Sequence, residues 1–217
     1  MFITFEGIEG SGKTSQIVKA AEFLRGMGHD CTITREPGGT KIGAKIRGIL
    51  LDPANSGLLP SAELLLYMAD RVQHVKEIIE PLLSEGKTVL CDRFFDATLV
   101  YQGYARGLDI DLINSLHKLI LKGLQPDITI LLDLPVKTGL KRAWKEIDRG
   151  ARESVETRFE EEALAFHEKV RAGYLELARL EPDRFYTIDS GLSVADVFED
   201  IKKSLCRALN TLNGKIC

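Results

Sequence analysis

An ammonium and a hydroxyl sit side by side near the start of the chain, at Lys13 and Thr14. They close the stretch "EGIEGSGKT", residues 6–14, whose Gly7, Ile8, Glu9, Gly10, Ser11 and Gly12 give it the spacing of a phosphate-binding loop. Glycines let successive backbone N–H groups turn inward around an anion, and a helix starting at Lys13 would add its positive end. Lys13 could then reach the outer phosphates of a nucleoside triphosphate, and Thr14 could ligate Mg²⁺. The bland alternative, a glycine-rich turn, explains neither the lysine nor the flanking strand and helix patterns. Taken alone, the loop leaves open whether the nucleotide drives motion, works a switch or donates a phosphate.

Further candidates follow from the rule that ligands of open α/β sheets bind beyond the carboxyl ends of the strands. "REPGGT" (35–40) places Arg35 before a flexible turn, and "DRFFDATLVYQG" (92–103) places a carboxylate and a guanidinium side by side. Asp92 is suited to hold Mg²⁺ directly or through its waters, and Arg93 offers a planar fork to a phosphate. Arg35 and Arg47 are candidates for the same task or for surface ion pairs. Tyr67 and Arg71 stand four apart on a helical pattern, so they share a face and could stack on a flat base and donate to its edge. Leu65, Met68, Val72, Val75 and Ile79 read as the core face of that helix, and His74 as a half-exposed residue. Thr98, Tyr101 and Gln102 add polar and aromatic groups on a turn after Arg93.

The elements that must position these groups alternate. Strands are expected at 2–6, 31–35, 88–92, 128–134 and 185–189. Helices are expected near 13–25, 40–51, 61–84, 109–122, 136–147, 155–180 and 193–210, with Gly26 and Gly28 ending the first, Ser61 capping the third and Pro81 kinking or stopping it. The pattern is that of a parallel sheet wrapped by helices. The chain has 217 residues, 44% of them hydrophobic and 28% charged, enough for one domain with a real core. A net charge of −3 argues against non-specific nucleic-acid binding. No apolar run suits a membrane span, Met1 leads straight into the first strand, and the four cysteines show no metal or redox spacing, so the cytoplasm is the expected compartment. Cys31 and Cys91 read as small buried residues. The charged stretch 141–162 reads as a solvated helix face or a mobile lid.

"FEGIEGSGKT", "TREPGGT", "MADRVQHV", "DRFFDATLVYQG" and "LLDLP", in this order, resemble the motifs of thymidylate kinases over nearly the whole chain. The resemblance implies a P-loop nucleoside-monophosphate-kinase-like three-layer α/β fold, with a parallel five-stranded sheet flanked by helices. One domain would span 1–217, with a lid at about 141–160. The implied reaction is phosphorylation of dTMP by ATP with Mg²⁺, in a homodimer with no nucleic-acid or membrane partner. It further implies an acceptor site of Glu9, Arg35, Tyr67, Arg71, Arg93, Thr98, Tyr101 and Gln102. There Tyr67 stands where the family usually has Phe, Arg71 meets the base O4, and Tyr101 crowds the 2′ position. With no arginine in the phosphate loop, the bacterial-type pattern puts one in the lid. Arg149 and Arg152 are preferred, with Arg142 and Arg158 as the other candidates. A kinase of nucleoside 5′-hydroxyls, using Glu9 as base, and a nucleotide-dependent switch are the competing readings.

Overall fold

The structure, a computed structural model, describes residues 1–149 and 156–213. Five strands, β1 (Phe2–Glu6), β2 (Cys31–Arg35), β3 (Thr88–Asp92), β4 (Ile128–Asp133) and β5 (Phe185–Asp189), form one parallel sheet in the order β2-β3-β1-β4-β5. The expected strands stand within one residue of these bounds. Parallel strands are covered on both faces, which is why they read as unbroken apolar runs. Alternate side chains of β1 serve opposite layers. Ile3 and Phe5 pack with Ile17, Leu24, Ile201 and Leu205 of helices α1 (Lys13–Gly26) and α9 (Val194–Asn213). Phe2 packs the other way, on Val75, Ile79 and Phe94. Each fully buried side chain of this kind stabilises the fold by about 1.5–3 kcal/mol. Glu6 ends β1 on the same side as Phe2, a carboxyl delivered by the pleat into an apolar layer.

That second layer holds α2 (Lys41–Leu51), α3 (Pro60–His74), α4 (Glu80–Ser84), α5 (Phe95–Thr98), α6 (Ile110–Leu121), α7 (Val136–Asp148) and α8 (Leu164–Leu180). Helix α3 starts with Pro60 as its first residue, and Ser61 therefore sits inside the first turn rather than capping it. Pro81 does not stop the run, which continues through it to Ser84. A π segment, Val75–Ile79, joins α3 to α4, and the Glu80 N–H reaches back five residues to the Val75 carbonyl. A wider turn ahead of a proline absorbs the ring that a regular turn would reject.

Three expectations on helices are corrected. Residues 95–105 are helical, α5 followed by a π segment over Leu99–Ala105, so Thr98, Tyr101 and Gln102 stand on a helix and not on a turn. Gly103 lets this helix lie against α6, since a Cβ there would meet Ile110 Cδ1 at 2.3 Å. Helix α8 begins at Leu164, not near 155; residues 156–163 run as turns, with Thr157, Arg158, Phe159 and Glu160 buried. Along α3 and the π segment after it, Met68, Val75 and Ile79 are buried, but Leu65 and Val72 are 60% and 43% exposed. Among the described residues, no helix is long and apolar enough to cross a membrane.

Candidate active site

The phosphate loop leaves β1 and turns into α1 through Gly12, whose φ of 91° is left-handed. No side chain caps α1 and no acid lies in its first turn, so its leading N–H groups stay available to an anion. Gly10, also left-handed, lies against α7: a Cβ on it would come within 2.1 Å of the Gly139 carbonyl oxygen. The Lys13 ammonium donates to the carbonyls of Gly7 and Ile8 at 2.9 and 2.8 Å and to Ser11 Oγ at 3.3 Å. Burial and the nearby Arg93 lower its pKa to about 8. Across the sheet edge, the Thr14 hydroxyl donates to Asp92 Oδ2 at 3.3 Å, which brings the two expected metal ligands together. Two hard oxygen donors suit Mg²⁺, which keeps most of its waters and takes one or two protein ligands plus phosphate.

Facing the loop, a cleft of about 570 Å³ is lined by Arg35, Tyr67, Arg71, Arg93, Thr98 and Gln102, among others. Its floor is a network of buried polar groups. Arg93 donates to Glu9 Oε1 at 3.0 Å and to the Tyr174 hydroxyl at 3.2 Å, and lies over the Tyr101 ring. Glu9 also accepts from the Tyr101 hydroxyl at 2.5 Å and pairs with His167 Nδ1 at 3.2 Å. Burial alone would raise the Glu9 pKa, but Arg93, His167 and Lys13 together hold it well below the usual carboxylate range. The Tyr174 hydroxyl in turn donates to Glu6 Oε2, and the Phe94 N–H donates to Glu6 Oε1, both at 2.7 Å. Burial first and Asp96 second push Glu6 up to about 8. The Glu6–Phe94 bond also pins the turn in which Arg93 adopts a φ of 66°.

Arg71 is 1% exposed, buried rather than set apart from the core. Its Nε donates to Glu36, one terminal nitrogen to Thr98 Oγ1 and His117 Nε2, and the other to the Phe94 carbonyl, at 2.8–3.1 Å. Four of its five N–H groups are thus engaged within the protein. His74 is likewise not half-exposed but fully buried, bridging Glu36 Oε1 and Thr34 Oγ1. Asp70 accepts from the Gly38 N–H. One face of α3 therefore clamps the loop after β2, a role missed in the sequence because Glu36 stands far from its partners. The spacing of Asp70, Arg71 and His74 along one helix was the available signal. His117, His167, Glu6, Glu63 and Tyr174 carried no comparable one.

The basic candidates separate. Arg35 is exposed and lines the cleft, and its side chain has no hydrogen bond or ion pair among the described residues. Arg47 is an ion pair, gripping Glu156 at 2.8 and 2.6 Å and the Pro37 carbonyl at 3.1 Å. Arg142 donates to the Ser190 carbonyl. Arg158 is buried, bound to the Leu50 carbonyl and Glu63. Arg149 follows α7, exposed to solvent, while Arg152 lies outside the described residues.

A phosphate loop facing a polar cleft beyond the carboxyl ends of a 2-3-1-4-5 parallel sheet defines a phosphotransferase of the nucleoside-monophosphate-kinase type. The profile of the thymidylate kinase family matches residues 5–201. The thymidylate kinase of Desulfosudis oleivorans is 58% identical over 197 residues, 91% of this chain and 92% of that protein. That of Geobacter sulfurreducens is 55% identical over 203 residues, 90% and 95% of the two chains. The crystal structure of the thymidylate kinase from Ehrlichia chaffeensis superposes with a TM-score of 0.73 at 35% identity, covering 94% of this chain and 98% of that one. The chain belongs to the thymidylate kinase family. Membership makes it a phosphotransferase whose acceptor is dTMP.

Proposed function

We propose that the protein transfers the γ-phosphoryl group of ATP to dTMP, giving dTDP on the route to dTTP. The observation that carries this reading is a single cleft with an anion-binding helix terminus on one wall and a base-reading pair on the other. Arg71 has one N–H left to donate, and Gln102 turns its amino group to Glu63, giving it one N–H at 2.8 Å and leaving its carbonyl oxygen to accept. Thymine offers the complement, an O4 acceptor beside an N3–H donor, and cytosine reverses both. Tyr67 would stack on the ring, with Thr98 at its edge and Tyr101 against C2′. Arg93 and Arg35 would meet the acceptor phosphate, and Glu9 would stand near the 3′-hydroxyl.

The acceptor needs no base, because a phosphate monoester is largely ionised at neutral pH. The difficulty is the approach of two anions, so the work is positioning and charge neutralisation by Lys13, Arg93 and a lid arginine, Arg149 or Arg152. Thr14 and Asp92 would hold Mg²⁺, which supplies neutralisation of phosphate charge when bound. Glu146, just before the undescribed segment, and Glu156, just after it, both line the cleft, which supports a lid at about 141–160 within one domain. A 5′-hydroxyl kinase would require Glu9 as base, and a carboxylate held so far below its usual range is a poor one.

A coupled ADP-release assay over the nucleoside monophosphates tests the reading. dTMP should lead. dUMP, which lacks one methyl, should fall about 10–200-fold behind, and dCMP by about 10³-fold or more. Equal turnover of dCMP and dTMP, or a preference for thymidine, would overturn it. A homodimer is part of the proposal. The exposed pairs Ile42/Ile49, Leu65/Val72 and Leu112/Leu119 on α2, α3 and α6 each repeat every seventh residue and offer a broad apolar face. A sedimentation mass near that of two 24.1 kDa chains is expected, and a monomer at micromolar concentration would refute it.

A further inference from the structure

Glu63, on α3, is completely buried, yet no step of the proposed reaction uses it. Its Oε1 accepts from Gln102 Nε2 at 2.8 Å and from Arg106 Nε at 3.3 Å. Its Oε2 accepts from the terminal nitrogens of Arg158 at 2.6 Å and Arg106 at 3.4 Å. A carboxylate paired with two guanidinium groups only accepts hydrogen bonds, so the group that Gln102 turns toward it must be the amino group. The carboxamide is planar, and its carbonyl oxygen then faces the opposite way. Gln102 is itself buried, but it borders the cleft.

We propose that Glu63 determines acceptor specificity by locking the orientation of the Gln102 carboxamide, so that a carbonyl oxygen and not an amino group is presented to the base. The proposal rests on the dTMP reading above. A carboxamide with its two ends unconstrained could flip and serve either a pyrimidine with N3–H or one with a bare N3. With Glu63 in place the flip would set two hydrogen-bond acceptors against each other inside the protein, leaving the Gln102 oxygen facing a carboxylate and Glu63 Oε1 with only its long bond from Arg106. Arg106 and Arg158 act one step further back by holding the Glu63 carboxylate. Glu63 is therefore a positioning residue that touches no substrate.

The test is a double-mutant cycle on kcat/KM for dTMP and dCMP. Glu63→Gln replaces the obligatory acceptor with a group that can donate or accept, and should lower the dTMP:dCMP ratio at least about tenfold. The loss should fall mainly on KM for dTMP, with KM for ATP unchanged. In a Gln102→Met background the same change should leave the ratio where Gln102→Met alone puts it. A ratio kept by Glu63→Gln, or lowered equally in both backgrounds, overturns the proposal. A wild-type enzyme that does not prefer dTMP sinks the dTMP reading itself, and the proposal with it. Should Glu63→Gln not fold, wild-type protein with ¹⁵N-labelled glutamine gives the answer. The Gln102 side-chain NH₂ signals should be protected from exchange and nearly unmoved by dTMP. A large shift would put the amino group on the base and refute the orientation.

Discussion

Arg93→Ala is expected to lower kcat/KM for dTMP by about 10³-fold, with ATP affinity changed only a few-fold. Two described bonds, to Glu9 and Tyr174, hold the guanidinium, and its remaining N–H groups stand at the cleft, where it is 18% exposed. Among the described residues no other side chain offers a fixed planar fork at the carboxyl end of β3, so alanine leaves only the exposed, unanchored Arg35 to meet the acceptor's charge where a second anion approaches. ATP affinity changes little because the loop would hold the phosphates with its backbone N–H groups and Lys13, and Arg93 bonds to the loop through the Glu9 side chain alone. A second effect follows from the network. Arg93 is the strongest group holding the Glu9 carboxyl down, so its removal lets that pKa rise and moves any acid limb of the rate profile to higher pH. Steady-state kinetics over pH check both, and a wild-type rate would remove Arg93 from the site. Changing Arg149 and Arg152 together should instead lower kcat and leave both substrate affinities near their original values.

Arg71→Met should harm the fold as well as the reaction. The substitution keeps the hydrophobic stem but strands the buried Glu36 carboxylate, which Arg71 meets at 2.8 Å and which keeps only His74. Breaking one side of a buried ion pair costs about 3–5 kcal/mol. For a chain of this size that is a fall in Tm of about 6–20 °C. Thr98, His117 and the Phe94 carbonyl lose a donor too. The double variant Arg71→Met/Glu36→Gln should regain part of the stability and none of the dTMP affinity, because the stranded charge is gone while the base still lacks its donor. Denaturant unfolding and KM for dTMP separate the two. An Arg71→Met protein as stable as the wild type would show that the pair is not integral to the fold.

What could be read from the residues was what lies close together along the chain. The phosphate loop is one contiguous turn, and the strands are contiguous apolar runs because both of their faces are covered. The helix at 95–105 was hidden because "TLVYQGYA" has the β-branched, aromatic and glycine content of a strand and turn. Packing on α6 and α8, not propensity, makes it helical. His74 was misjudged because Glu36 lies 38 residues away. Arg158 stayed open as a lid arginine because its anchors, Leu50 and Glu63, are 108 and 95 residues distant. Leu65 and Val72 looked like core since periodicity gives the angle of an apolar residue on a helix but not whether protein or solvent lies there.

The left-handed backbone at Arg93 carries a local cost that its side chain more than offsets. An arginine at a φ of 66° forfeits about 1–2 kcal/mol that glycine would keep. Arg93→Gly should relax that turn and still lose stability, because it takes the guanidinium from the buried Glu9 carboxylate, a loss of about 3–5 kcal/mol. A strained turn therefore persists at the end of β3 because the fork it carries neutralises a buried acid as well as facing the cleft.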